Sequence, residues 1–107
     1  MRKVVEQVVV NGFLKHRAKS LGATVSTGDQ LFLHGNLIAE WCQDGECIRW
    51  SLAGWNTPTT KSRLNAIPGV YVSNSGGHPF WNGVMIDSRA WYEVNLAVVA
   101  FGKITGE

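Results

Sequence analysis

Two cysteines, three histidines and a scatter of carboxylates are the residues whose types could do chemistry, and their spacing leaves them little to do. Cys42 and Cys47 form a C-x4-C pair on either side of Asp44-Gly45. In a two-residue hairpin they would face one another as a non-hydrogen-bonded pair, with α-carbons about 4.5 Å apart. That is the short edge of disulfide geometry, so a cross-strand bond is open to them. Two reduced thiols on a half-buried face are the expected state under intracellular redox conditions. A zinc site needs further ligands and usually a tighter spacing. His16, His34 and His78 are scattered far from the pair, so neither a metal nor a cofactor is expected.

Catalytic patterns are missing too. The chain has no Gly-rich phosphate loop, no nucleophile elbow and no zinc-protease helix. Asp44 and Glu46 are the best-placed carboxylates, yet they belong to a turn. The histidines have no sequence neighbour that would orient them as bases. No catalytic residue is expected, and the chain reads as a non-enzyme.

What remains is aromatic surface beside cations. Five tryptophans in a chain with only 17% charged residues suit an interaction face, because large rigid aromatics dominate binding hot spots. Trp55 and Trp81 fall in or beside turns and are the expected exposed pair, with Arg63 as a third contact. Core packing is the competing reading for each tryptophan taken singly, and Trp41 and Trp50 fall on the inferred core face. Arg49, Lys61 and Arg63, interleaved with Trp50 and Trp55, would also suit stacking and phosphate contacts to single-stranded nucleic acid. The aromatic RNP strands and GxxG loop that mark such modules are missing.

These side chains need a frame, and residues 37–67 supply the most legible part of it. Asp44-Gly45 between two β-forming runs predicts a two-residue type I′ hairpin. Its register sets Gln43 opposite Glu46, Cys42 opposite Cys47, Trp41 opposite Ile48, Glu40 opposite Arg49 and Ala39 opposite Trp50. Alternation then gathers Leu37, Ala39, Trp41, Ile48, Trp50 and Leu52 on one apolar face. Glu40 and Arg49 make an opposite-charge pair on the other. After a turn at residues 53–55, Asn56-Thr57-Pro58-Thr59-Thr60 reads as a helix start, with hydroxyl cap candidates and proline near the first turn. Residues 61–67 give about two turns, which Pro68-Gly69 stops.

Before the hairpin, residues 2–19 predict a helix with Val5, Val8, Val9 and Phe13 on one stripe that Leu14 and Ala18 extend, weakened at Gly12, although the valine density would also fit a strand. Lys15, His16, Arg17 and Lys19 would complement its C-terminal dipole. Residues 23–27 and 30–34 predict strands, and Gly35-Asn36 a II′ turn that sets Phe32 opposite Ala39 and Leu33 opposite Ile38. Beyond the short helix, residues 70–74 predict a strand, Asn82-Gly83 a second hairpin, and residues 91–99 a last strand. The fold class is α+β: a mostly antiparallel β-sheet, a meander of hairpins, with an N-terminal helix and one short helix.

The length of 107 residues predicts a single domain over 1–107. Its net charge of +2 says little, though residues 1–19 set five cations against Glu6 for +4. Residues 20–58 set four carboxylates against Arg49 for −3. No apolar run is long enough to span a membrane, and the N-terminus lacks a signal-peptide core, so the expected location is cytoplasmic. The apolar tail, Leu96 to Phe101, is an expected homodimer contact if it does not join the sheet.

The runs TVSTGDQLFLHGNLIAEW and IRWSLAGWNTPTTKSRLNAIPGV carry a resemblance. A strand and turn leading into Ile38-Ala39, then a hairpin, then a Thr-Thr-x-x-x-x-Asn helix start (Thr59, Thr60, Asn65) is similar to small uncharacterised proteins encoded by tailed bacteriophages and prophages. The likeness covers residues 23–70 and carries no residue roles with it. It implies a small phage or mobile-element accessory protein acting in the host cell. Such proteins often bind a host protein stoichiometrically, defence complexes included, rather than catalyse. A host-protein binder is therefore the expected function, with a single-stranded nucleic-acid binder as the alternative.

Overall fold

The computed structural model describes residues 3–96 and arranges them as two antiparallel sheets with three short helical segments. The larger sheet holds β1 (Ala18–Leu21), β2 (Thr24–Thr27), β3 (Gln30–Leu33), β4 (Asn36–Trp41) and β5 (Cys47–Trp50), hydrogen-bonded in that order. After α1 (Pro58–Leu64), β6 (Val72–Ser75), β7 (His78–Trp81) and β8 (Val84–Met85) form the smaller sheet. The last strand, β9 (Tyr92–Asn95), returns to the larger sheet beside β5.

The N-terminal helix is shorter than its valine stripe suggests. It is a π-helix over Val5–Val10, followed by a single 3-10 turn over Phe13–Lys15. Val5, Val8, Val9 and Phe13 are buried, as their spacing requires. The helix stops because Gly12 takes φ −109° and ψ −87°, outside helical values. A Cβ at that position would sit 2.3 Å from the Val8 carbonyl oxygen, so only glycine fits there. His16 then turns the chain in the left-handed region, and residues 18–21 pair with β2 instead of continuing the helix. The basic cluster is thus divided: Lys15 and His16 end the 3-10 turn, Arg17 follows, and Lys19 lies on the edge strand β1, rather than all four ending one long helix.

The β3–β4 hairpin turns one residue earlier than expected. His34 and Gly35 both have positive φ, the type I′ requirement, and Leu33 faces Asn36. Phe32 pairs with Leu37 and Leu31 with Ala39, which leaves Ile38 as a bulge. The expected partners Phe32/Ala39 and Leu33/Ile38 are therefore not made. The bulge also explains how Ile38 and its neighbour Ala39 are both buried despite strand alternation.

The β4–β5 ladder has the expected register: Ala39 with Trp50, Glu40 with Arg49, Trp41 with Ile48. Its loop differs. Only Gly45 is left-handed, its N–H bonds the Cys42 carbonyl at 3.0 Å, and Asp44 Oδ1 accepts from the Glu46 N–H at 2.9 Å. A four-residue loop over 43–46 replaces the two-residue turn. The wider closure sets Cys42 and Cys47 5.3 Å apart at Cα, and their sulfurs are joined as a disulfide rather than held as two thiols.

α1 begins as its residues dictate. Thr57 Oγ1 accepts from the Thr60 N–H at 3.2 Å, and Pro58 fills the first helical position. Leu64 and Ile67 are buried beneath it. The smaller sheet uses two tight hairpins, Gly76-Gly77 and Asn82-Gly83, with positive φ at all four residues. Its first strand starts at Val72, two residues later than expected, where the Asn65 amide bonds both the N–H and carbonyl of Val72. Strand β9 covers Tyr92–Asn95 of the predicted last strand. The rest of the apolar tail, residues 97–101, lies outside the described residues.

The sheets meet over an aromatic cluster. Trp50 on β5 meets Trp81 on β7 edge-on at 5.1 Å, and Tyr92 on β9 lies 5.3 Å from Trp50 and 5.9 Å from Trp81. Trp81 Nε1 donates to the Gly69 carbonyl at 3.0 Å. Trp81 is thus an inter-sheet packing residue, not an exposed one. Position beside a turn misled the expectation, because the tip of this hairpin folds its indole back over the larger sheet. Val8, Val9, Phe13, Leu31, Ile48, Leu64 and Ile67 continue the same apolar cluster towards the helices.

Candidate binding face

Trp55 is the large side chain the fold most conspicuously leaves in solvent beside shaped surface, at 57% exposed. Hydrogen bonds fix the backbone of its turn. The Trp55 N–H bonds the Leu52 carbonyl at 2.8 Å, closing a turn whose central residues, Ala53 and Gly54, both have positive φ. The Gly54 N–H is held by the Ser88 carbonyl at 2.8 Å, and Ser51 Oγ accepts from the Ala53 N–H at 3.0 Å. A left-handed alanine is uncommon, and such conformations cluster at functional sites. Here it throws the next-but-one side chain outward.

Two clefts share Trp55 as a wall. One, of about 280 Å³, lies between the β3–β4 hairpin and the start of α1, against Leu33, His34, Asn36, Thr57, Thr59 and Thr60. The other, about 500 Å³ and more open, runs to Arg89 and Trp91 across Ser51, Ala53 and Gly54. Trp91 is 38% exposed, and the Arg49 guanidinium stands over its ring at 5.6 Å from the centroid. Arg49 also pairs with Glu40 at 3.2 Å. Arg89 lies across Gly54, where its Nε would be 3.6 Å from an added Cβ. The face is therefore two tryptophans with two arginines beside them, carried on a hydrogen-bonded loop and a sheet.

The five expected site residues divide. Trp55 lines both clefts, and Arg49 reaches the wider one through Trp91. Lys61 is half-buried on α1 and lines neither. Trp81 is partly buried and packs against the core, as described above. Arg63 is only 8% exposed, its Nε donating to Thr24 Oγ1 at 3.2 Å and its Nη1 to Ser62 Oγ at 2.8 Å. An arginine on a short helix is solvated by default, but α1 packs this one against β2.

Trp91 and Arg89 were missing from the expected set. The signal for Trp91 is the β5–β9 register: with Tyr92 opposite Trp50, alternation turns Trp91 to the face of Arg49. That pairing joins residues more than forty positions apart, so it is invisible until the last strand is placed. Among the described residues, one group could hold a metal: Cys42, Cys47 and Glu93, whose ligand atoms lie within 4.8 Å of one another. No helix among the described residues is long and apolar enough to cross a membrane.

The family model described as Kyanoviridae Gp96 protein matches residues 1–95, and the chain belongs to that phage family. The match bears out the resemblance to small phage-encoded proteins and extends it from residues 23–70 to the whole face described above. No curated protein and no solved structure matches the chain significantly.

Proposed function

We propose that this member of the Kyanoviridae Gp96 protein family is a non-enzymatic phage accessory protein that binds a host protein in the host cytoplasm through the face centred on Trp55. The observation that carries the reading is Trp55 itself, an indole on a hydrogen-bonded turn with 57% of its surface open and lining both clefts. Covering it would take on the order of 100 Å² of largely apolar surface out of water, about 2–3 kcal/mol. That is the scale of a binding hot spot. Arg49 and Arg89 at the rim would select a partner with acidic groups around an apolar centre. Membership of a phage family supports a host partner, since such proteins work among host components.

The test is capture from host lysate treated with nuclease, with the Tyr71→Ala variant as a control. Tyr71 is 72% exposed and lines neither cleft. One host protein recovered in near-equal amount by the parent and by Tyr71→Ala, and lost with Trp55→Ala, is the expected result. Capture that ignores Trp55 would contradict it.

One arrangement favours a second reading. Arg49 over the Trp91 ring, with Arg89, Trp91 and Trp55 lining one cleft, combines stacking faces with phosphate-binding cations. A single-stranded nucleic acid bound there would be released steeply as salt rises, whereas a hot spot dominated by apolar burial would hold.

A further inference from the structure

We propose that Cys42, Cys47 and Glu93 form a binding site for a thiophilic divalent cation of the zinc class once the disulfide is reduced. The three residues come from three places in the chain: Cys42 directly after β4, Cys47 at the start of β5 and Glu93 within β9. Strand pairing brings them together. Cys47 faces Asn95 and Arg49 faces Glu93, so Glu93 lies diagonally across from Cys47 on the face it shares with Cys42. The two sulfurs and a Glu93 carboxylate oxygen all lie within 4.8 Å of one another. Zinc–sulfur bonds of about 2.3 Å and zinc–oxygen bonds of about 2.1 Å need ligand–ligand edges of about 3.4–3.8 Å in a tetrahedron. Once the disulfide is broken, the two sulfurs are free to move apart to that edge and the Glu93 oxygen to close on them, with water as the fourth ligand.

The behaviour of Glu93 points the same way. Arg49 stands directly opposite it on β5, yet the guanidinium pairs with Glu40 and lies over Trp91. Among the described residues Glu93 makes no ion pair. Its carboxylate lies beside the sulfurs instead. Two thiolates favour zinc over hard cations such as magnesium or calcium. Two thiolates and a carboxylate carry one negative charge more than a divalent ion cancels, and Arg49 across the ladder offsets it. The ladder from Ala39 to Trp41 against Ile48 to Trp50 is made of backbone bonds, so the frame survives loss of the disulfide.

The chemistry balances with a thiol reductant of the glutathione or thioredoxin class. Its two thiols supply two electrons and two protons, the Cys42–Cys47 bond breaks to two thiols, and the reductant leaves as its own disulfide. Metal binding then releases the two thiol protons to solvent. The spacing C-x4-C gave no hint of this, because the third ligand is 46 residues further along the chain than Cys47.

The experiment uses the full chain, oxidised and phosphine-reduced, titrated with cobalt(II) and then zinc(II). The reduced chain should take up one equivalent of cobalt, with sulfur-to-cobalt absorption in the near ultraviolet and tetrahedral bands in the visible, both bleached by zinc. The oxidised chain should show neither. Glu93→Gln, at an exposed position, should leave the circular dichroism and Tm of the reduced chain unchanged. It should weaken cobalt binding at least about tenfold, since even partners outside the first shell are worth that much. Four outcomes would overturn the proposal: no cobalt spectrum in the reduced chain, equal uptake by the oxidised chain, unfolding on reduction, or a Glu93→Gln variant that binds as the parent does.

Discussion

Arg63 Nε donates to Thr24 Oγ1 at 3.2 Å, a bond that ties α1 to β2 across 39 positions of the chain. Both residues are buried, Thr24 almost completely. The bond fixes the last turn of α1 against β2, and the first turn of the same helix, with Thr59 and Thr60, lines the narrower Trp55 cleft. Arg63 serves the binding face by holding its frame.

Arg63→Ala should accordingly lower stability. It removes a charge-assisted hydrogen bond and strands the Thr24 hydroxyl in the interior, together worth about 2–3 kcal/mol. For a domain of this size the expected fall in Tm is on the order of 10 °C. A thermal melt followed by circular dichroism measures it. A Tm within a degree or two of the parent would return Arg63 to the surface.

Trp81→Ala tests the inter-sheet cluster. The indole packs on Trp50 and Tyr92 and bonds the Gly69 carbonyl, so its loss should cost about 3 kcal/mol or more in a urea titration. Trp55→Ala in the same experiment should change stability by less than about 0.5 kcal/mol, as an exposed substitution does. Two tryptophans that both stand beside turns are thus expected to behave oppositely.

How far the sequence reached follows from what each element depends on. The β4–β5 register was legible because Glu40, Arg49 and the alternating apolar residues all lie within one hairpin. Its loop was not, because Asp44 makes a side-chain bond to the Glu46 N–H in place of the left-handed turn that Asp-Gly usually forms. Trp55 was legible as a turn residue followed by a helix cap. Trp91 and Arg89 were not, because their face is set by β9 pairing with a strand far away in sequence. Cys42 and Cys47 were seen as a pair, but Glu93 beside them depends on the same long-range pairing.

Gly12 offers a test by sign. In an unbroken helix over residues 2–19, Gly12→Ala would stabilise by about 1 kcal/mol. In the observed structure the new methyl would meet the Val8 carbonyl at 2.3 Å and Lys19 at 3.0 Å. The expected result is a loss of about 1–3 kcal/mol, the usual range for overpacking. Denaturant midpoints of the two proteins decide it, and a raised midpoint would restore the longer helix.

The measurement closest to the central claim is the affinity of the captured host protein for the parent and for Trp55→Ala, at two salt concentrations. A truncated hot spot should weaken binding by about 2 kcal/mol or more, roughly thirtyfold, with the Tm of the variant unchanged. That loss should be of similar size at low and high salt. Equal affinity of the two proteins, in a variant that is still folded, would contradict a binding face centred on Trp55.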